Sequence, residues 1–278
     1  MSDKFRAFAA LHVPGDPVIL YNAWDVGSAK AVAGAGAKAI ATGSWSVAAA
    51  QGFSDGEELP LDLSLATATR IAGVVDLPVT IDFEGGYAVA PDALAENFAR
   101  LARTGAIGCN FEDRVVEGEG LHAIAAQVAR IEAARRGVGE DFFINARTDI
   151  FLEATPDTHD TAKADDAIAR GQAYAEAGAN GFFVPGLVDL DLLARVCDAV
   201  PLPVNFMAFP GAPAAREVAD AGVSRISHGP NPYRTAMAAL AAAAQEAFAW
   251  RFATAPEATP ARPRKAASRP APRRGRRS

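Results

Sequence analysis

The chain has 278 residues, half of them hydrophobic, and only two cysteines, which allows one large or two small globular domains and excludes a disulfide scaffold. Its formal net charge of −6 is uneven: eight Lys/Arg against one acid put +7 on residues 254–278 and leave −13 on residues 1–253. An acidic body of that kind excludes a fold surface built to bind nucleic acid.

Along the chain, the N-terminus lacks the apolar core and cleavage pattern of a signal peptide. Short apolar runs bounded by Gly, Pro or Asp then recur at 17–24, 38–44, 77–84, 107–113, 142–149, 181–186, 202–209 and 224–229. Helical patterns such as "APDALAENFARLARTGA" and "ADDAIARGQAYAEAGA" separate most of them. Several run into the next strand through Ala-Gly-Ala or Ala-Gly-Val, where glycine just past a helix end is the expected cap. Eight strand-then-helix units predict an α/β fold, a parallel sheet closed as a (β/α)8 TIM barrel over residues 1–250, in preference to an open doubly wound sheet. The Ala-rich "TAMAALAAAAQEAFAW" near the end reads as a packed helix, so no membrane span is expected. Residues 251–278 are rich in Pro and Arg and are expected to be a disordered basic tail. That tail is either a plain solvated extension or a contact for RNA, anionic lipid or a partner. Cys109 and Cys197 sit in apolar surroundings at no metal-like spacing, which together with the N-terminus predicts a cytoplasmic protein.

Barrel geometry turns the strands into a site. Side chains alternate between the barrel interior and the helix layer. In "VTIDFE" the set Val79, Ile81 and Phe83 must pack under helices, so Asp82 and Glu84 are expected to point inward at the C-terminal end, where such barrels place their active sites. The same parity turns Asn110 and Glu112, Asn145, Arg147 and Asp149, and Asn205 inward. Carboxylates gathered in this way are costly unless paired or bound to a metal. Several acids without His or Cys suit a hard cation, Mg2+ or Mn2+. A salt-bridge network in which Arg147 neutralises Glu112 and Asp82 is the alternative, and it leaves acids over.

These residues resemble the isocitrate lyase/phosphoenolpyruvate mutase superfamily over roughly residues 5–245. The carriers are "YNAWDVGSAKAVAGAGAKAIATGSWSVAAAQGFSDGEELP", "TIDFEGGYA" with Glu84 in place of the family's second Asp, "NFED", and "NARTDIF". The resemblance implies Asp82 as the main metal ligand and Asp55, Glu84 and Glu112 as holders of the metal's waters. It further implies Arg147 gripping a substrate carboxylate or phosphonate, and Gly43, Ser44 and Trp45 offering backbone N–H groups to a carboxylate. Asn205 joins the substrate side by parity, and Asp55 and Arg147 are the catalytic candidates. It also implies Mg2+ (or Mn2+), a small-molecule carboxylate substrate handled through an enolate, and a homo-oligomer, dimer or tetramer, whose C-terminal helix is exchanged between subunits.

The family's lyase branch carries a Lys-Lys-Cys-Gly-His loop after the fourth strand, and the mutase branch a gating Lys and Asn; here "VVEGEG" holds neither. Cys109 lies in the strand with outward parity and reads as core. His122 is either a proton donor or an exposed residue at a helix start. Tyr87 is within range of the metal's waters, Trp24 and Phe206 are pocket wall or core, and His228 stands at the height of the site without a role. The expectation is a carbon–carbon lyase or decarboxylase for a small α-keto or 2-hydroxy di- or tricarboxylate. It would act on oxaloacetate-like acids, or on 2-alkylmalates or isocitrate-like acids. A non-catalytic keto-acid-binding protein is the alternative, and a phosphonate C–P mutase or hydrolase the third choice.

Overall fold

The computed structural model describes residues 3–250; the expected basic tail lies outside them. Eight strands alternate with helices as the apolar runs predict. The strands are β1 (Val18–Leu20), β2 (Ile40–Ala41), β3 (Val79–Asp82), β4 (Gly108–Glu112), β5 (Phe143–Arg147), β6 (Gly181–Phe183), β7 (Val204–Met207) and β8 (Arg225–Ser227). The helices are α1 (Asp3–Ala10), α2 (Val26–Gly34), α3 (Ser44–Ala50), α4 (Leu61–Ala72), α5 (Pro91–Ala102), α6 (Ile124–Val138), α7 (Thr161–Glu176), α8 (Leu190–Ala199), α9 (Ala215–Asp220) and α10 (Asn231–Trp250). All pairings are parallel, in the order β1-β8-β7-β6-β5-β4-β3-β2. A parallel bridge between Ala23 and Thr42, just past the ends of β1 and β2, brings the outermost strands together. This is the (β/α)8 barrel expected from the sequence.

The alternation of side chains makes two cores. The outer one, between strands and helices, takes Ile40, Val79, Ile81, Cys109, Phe111, Ile144 and Phe182. The inner one gathers Val18, Leu20, Ala39, Ala41, Ile107 and Phe143 with Phe5 and Phe8 from α1. Helix α1 therefore plugs the N-terminal end of the barrel, with His12 stacked on Phe143 at 4.5 Å. Burial, helped by the Arg225 charge, pushes the His12 pKa down to about 3, so it stays neutral in this plug. Helix starts follow from sequence as well: Asp25 and Ser28 cap α2 reciprocally, and Asp160 and Asp189 accept from the first backbone N–H groups of α7 and α8.

Residue contacts group the chain into one unit ending at Ala236, which holds the barrel, and a second starting at Met237, which holds the rest of α10. Among the described residues no helix is long and apolar enough to cross a membrane. Cys109 and Cys197 are both free thiols, and Cys109 is wholly buried, as its outward parity requires.

Candidate active site

The site grows from the strand ends at the C-terminal mouth. Asp82 is the last residue of β3, level with Asn110 on β4. Its Oδ2 accepts from the Ser44 backbone N–H and hydroxyl, both at 3.0 Å, and Asn110 Nδ2 reaches its Oδ1 at 3.4 Å. Asn110 is itself held from behind, its Oδ1 accepting from Asn145 Nδ2 at 2.9 Å and from Arg225 Nη2 at 3.1 Å. Arg225 is buried in the barrel, and its Nε and Nη1 have no hydrogen-bond partner. Asp82 thus rests on a polar floor of two asparagines and one arginine.

Beside it stands Asp55, on the loop between α3 and α4, near enough for the charge of Asp82 to act on its carboxyl. Burial and the charge of Asp82 both raise the Asp55 pKa. Glu84 is 4% exposed, and burial, with the Asp55 charge second, pushes its pKa up to about 7. Parity does not place Glu84, because β3 ends at Asp82 and Glu84 has a φ of +49° in the turn that follows. Its Oε2 accepts from the Gly56 and Glu57 N–H groups at 2.8 and 2.7 Å, and the Tyr87 hydroxyl donates to its Oε1 at 3.2 Å.

Glu112 and Arg147 face each other across the β4–β5 ladder, with Arg147 Nη1 at 2.8 Å from Glu112 Oε2. Arg147 also grips Asp149 with two parallel bonds, Nε to Oδ1 at 2.5 Å and Nη2 to Oδ2 at 2.8 Å. Three of its five N–H donors are engaged by protein carboxylates, and two remain for a substrate. Burial pushes the Glu112 pKa up, with the Arg147 charge opposing; burial works against the Arg147 charge, and Asp149 and Glu112 more than reverse it. The salt-bridge network weighed from sequence thus exists for Glu112 but not for Asp82, which among the described residues meets no cationic side chain at hydrogen-bond distance.

The remaining candidates divide. Of the backbone donors expected at Gly43, Ser44 and Trp45, that of Ser44 is already taken by Asp82. Trp45 is half-buried and turns its ring to Tyr233, which also meets Trp24 edge-on at 5.1 Å, so both tryptophans belong to an aromatic wall over β1, β2 and β8. Asn205 is buried in the barrel, donating to the Ser227 hydroxyl at 3.1 Å, with its own Oδ1 unpartnered. Phe206 is core. His228 packs on Tyr21 at 5.1 Å. The loop after β4 is a short hairpin closed by an Arg114–Leu121 bridge, and His122 sits at its foot, donating from its backbone to Asp113 O at 2.7 Å. Asp113, wholly buried, anchors that hairpin through Arg170 and Tyr174.

The donor set fits a hard divalent cation. Asp82, Asp55 and Glu84 act on one another through their charges, none of them is bonded to a cationic side chain among the described residues, and all the donors they offer are oxygens. Among the described residues no three His, Cys, Asp or Glu side chains stand close enough to ligate an ion directly. Sequence reasoning missed Arg225, Glu57 and Tyr233. Inward parity in "SRISHG" was the available signal for Arg225, and nothing local marks the other two.

The profile described as phosphoenolpyruvate phosphomutase matches residues 8–248. A solved structure described as that of a candidate phosphonomutase from Burkholderia cenocepacia J2315 superposes with a TM-score of 0.85 at 48% identity, covering 88% of this chain and 98% of that one. An uncharacterised protein of Mycobacterium tuberculosis (strain H37Rv) is 37% identical over 86% of this chain and 88% of its own length. The 2-methylisocitrate lyase of Escherichia coli K12 is 29% identical over 72% of this chain and 68% of its own length.

Proposed function

The chain belongs to the phosphoenolpyruvate phosphomutase family, within the isocitrate lyase/phosphoenolpyruvate mutase superfamily, and from that footing we propose that it is a Mg2+-dependent lyase or decarboxylase. It breaks a C–C bond in a small α-keto or 2-hydroxy di- or tricarboxylate. The observation that carries the reading is the group of mutually repelling carboxylates Asp82, Asp55 and Glu84, none bonded to a cationic side chain among the described residues, together with an Arg147 that retains free donors.

Asp82 would hold Mg2+ (or Mn2+) directly, with Asp55, Glu84 and Glu112 around the ion's waters. The ion would supply Lewis-acid stabilisation to the enolate oxygen that develops as the bond breaks. Arg147, fixed in place by Glu112 and Asp149, presents its two remaining N–H groups to a substrate carboxylate and so orients the scissile bond. The Trp24–Trp45–Tyr233 wall keeps water from one side of the mouth. The hairpin that follows β4 offers neither Lys nor Cys as a proton donor, which favours loss of CO2 from a β-keto acid. The C–C bond pair then passes to the enolate, no hydroxyl proton has to be removed by a base, and the enolate takes its proton from water.

The purified protein with Mg2+ is to be screened for pyruvate or CO2 release from oxaloacetate and substituted malates, with phosphonopyruvate as a separate arm. Turnover of one of the carboxylic acids, lost in Asp82→Ala, is the expected outcome. No turnover across the panel, with metal binding unaltered in Asp82→Ala, defeats the proposal. Calorimetry that finds Mg2+-dependent binding of a keto acid without turnover favours the second reading, a keto-acid-binding protein, which the short hairpin motivates.

We also propose a cytoplasmic homo-oligomer. The outward face of β1 leaves Ile19 and Tyr21 exposed in a groove of about 800 Å3 bordered by Val13 and Ala35, while α10 exposes Leu240, Phe248 and Trp250. The α10 helix of a second copy would cover that groove, and sedimentation of a Leu240→Glu variant tests it: a smaller species is expected, and an unchanged one refutes it.

A further inference from the structure

Three non-glycine residues of the described chain adopt positive φ, Glu57 (+63°), Glu84 (+49°) and Tyr87 (+58°), and all three meet in one place. Left-handed backbone is unfavourable for such residues unless the surroundings enforce it, and clusters of it gather at sites with a role. The enforcement here is reciprocal. The carboxylate of Glu84 sits on the N–H groups of Gly56 and Glu57, 2.8 and 2.7 Å away. The carboxylate of Glu57 accepts in turn from the Tyr87 N–H at 2.7 Å. Each acid thus accepts from backbone N–H groups of the other's turn, two for Glu84 and one for Glu57.

The two turns have no covalent reason to be together, being nearly 30 residues apart. One carries Asp55, immediately before Gly56; the other directly follows Asp82. The junction is packed shut: a Cβ on Gly85 would come within 3.0 Å of both Glu57 Oε1 and Val116 Cγ2, so the hairpin after β4 also bears on it. Arg130 from α6 fastens the far side, donating to Gly85 O at 2.7 Å and Ala88 O at 3.3 Å.

We propose that Glu57 is a positioning residue. It locks the Asp55 loop to the turn after β3, and so sets the spacing between Asp55 and Asp82 that the reaction needs. Glu84 is the other half of this lock: its Oε2 takes both backbone N–H groups, while its Oε1, met by the Tyr87 hydroxyl alone, keeps a lone pair for an ion's water. The proposal rests on the functional reading above only for its kinetic arm.

The test compares Glu57→Ala, which loses the acceptor, with Glu57→Gln, which keeps a carbonyl oxygen for the Tyr87 N–H. In the whole protein without substrate, amide hydrogen exchange over residues 53–59 and 84–88 is expected to rise at least ~10-fold in Glu57→Ala, while β5 and β7 exchange as in wild type. Glu57→Gln is expected to recover most of that protection. In the turnover assay, kcat is expected to fall roughly 10- to 100-fold in Glu57→Ala with KM little changed, and to recover in Glu57→Gln. Unchanged exchange in both segments overturns the proposal. So does a loss of protection spread evenly over the barrel in both variants, or kinetic parameters in Glu57→Ala equal to wild type. If no acid is turned over at all, the functional reading fails while the exchange arm still judges the lock.

Discussion

Glu84 provides the most quantitative consequence of the site. Its carboxyl is 4% exposed and its pKa stands near 7 against an ordinary 4.5, through burial first and the Asp55 charge second. The folded protein therefore binds a proton at Glu84 that the unfolded chain has released by pH 5 to 6. Stability falls wherever the folded state holds more protons as pH rises. For Glu84 the contribution is fully favourable below pH 4.5, declines between 4.5 and about 7, and is lost above that. At about 1.36 kcal/mol per unit, the loss between pH 4.5 and 8 is roughly 3 kcal/mol. Glu84→Gln removes this titration while keeping an oxygen for the Gly56 and Glu57 N–H groups. Urea unfolding in EDTA at pH 5 to 8 is therefore expected to show a wild-type curve falling more steeply than that of the variant, the two diverging by about 3 kcal/mol. In melting temperature the divergence is on the order of 10 °C for a domain of this size. Asp55, Glu57, Glu112 and Asp113 are also raised and slope the same way, so only the difference between the two proteins isolates Glu84. Parallel curves would show that the carboxylate is ionised in the fold and that the crowding of Asp55 and Glu84 has been misjudged.

Arg147→Ala leaves Glu112 and Asp149 buried without their partner, so chemical denaturation is expected to lose about 3–5 kcal/mol at neutral pH. Arg147→Lys should keep much of that stability but lose turnover, since an ammonium cannot bridge both acids and a substrate carboxylate. Asp82→Ala is expected to weaken Mn2+ binding, followed by electron paramagnetic resonance of the free ion, by ~100-fold or more. Phe8→Ala opens the plug at the opposite end of the barrel and is expected to cost ~3–5 kcal/mol with KM unchanged, because the site lies beyond the Asn110–Asn145–Arg225 floor.

How far the sequence reaches into this site depends on what kind of interaction sets each residue. Val79, Ile81 and Phe83 against Thr80 and Asp82 were legible because a strand repeats every two residues, and the outer core needs its apolar half. The same rule carried Asn110, Glu112 and Arg147 to their places on β4 and β5. It stopped at Glu84 because the ladder stops at Asp82: once φ turns positive, alternation no longer holds, and the side chain goes where backbone donors are available. Those donors belong to Gly56 and Glu57, whose orientation depends on a loop conformation that no local pattern encodes. Arg225 was missed for a different reason. Inward parity in the last strand pointed to Arg225, but an arginine reads by default as surface, and its burial follows only from setting β8 beside β1 in the closed barrel. The acid cluster is therefore partly a product of strand geometry, for Asp82 and Glu112, and partly of loop docking, for Asp55 and Glu84. Substitutions of the first kind should perturb the site through the strand on which they lie. Those of the second kind should act through Glu57 and its partners, leaving the barrel intact while the distance between the two aspartates drifts.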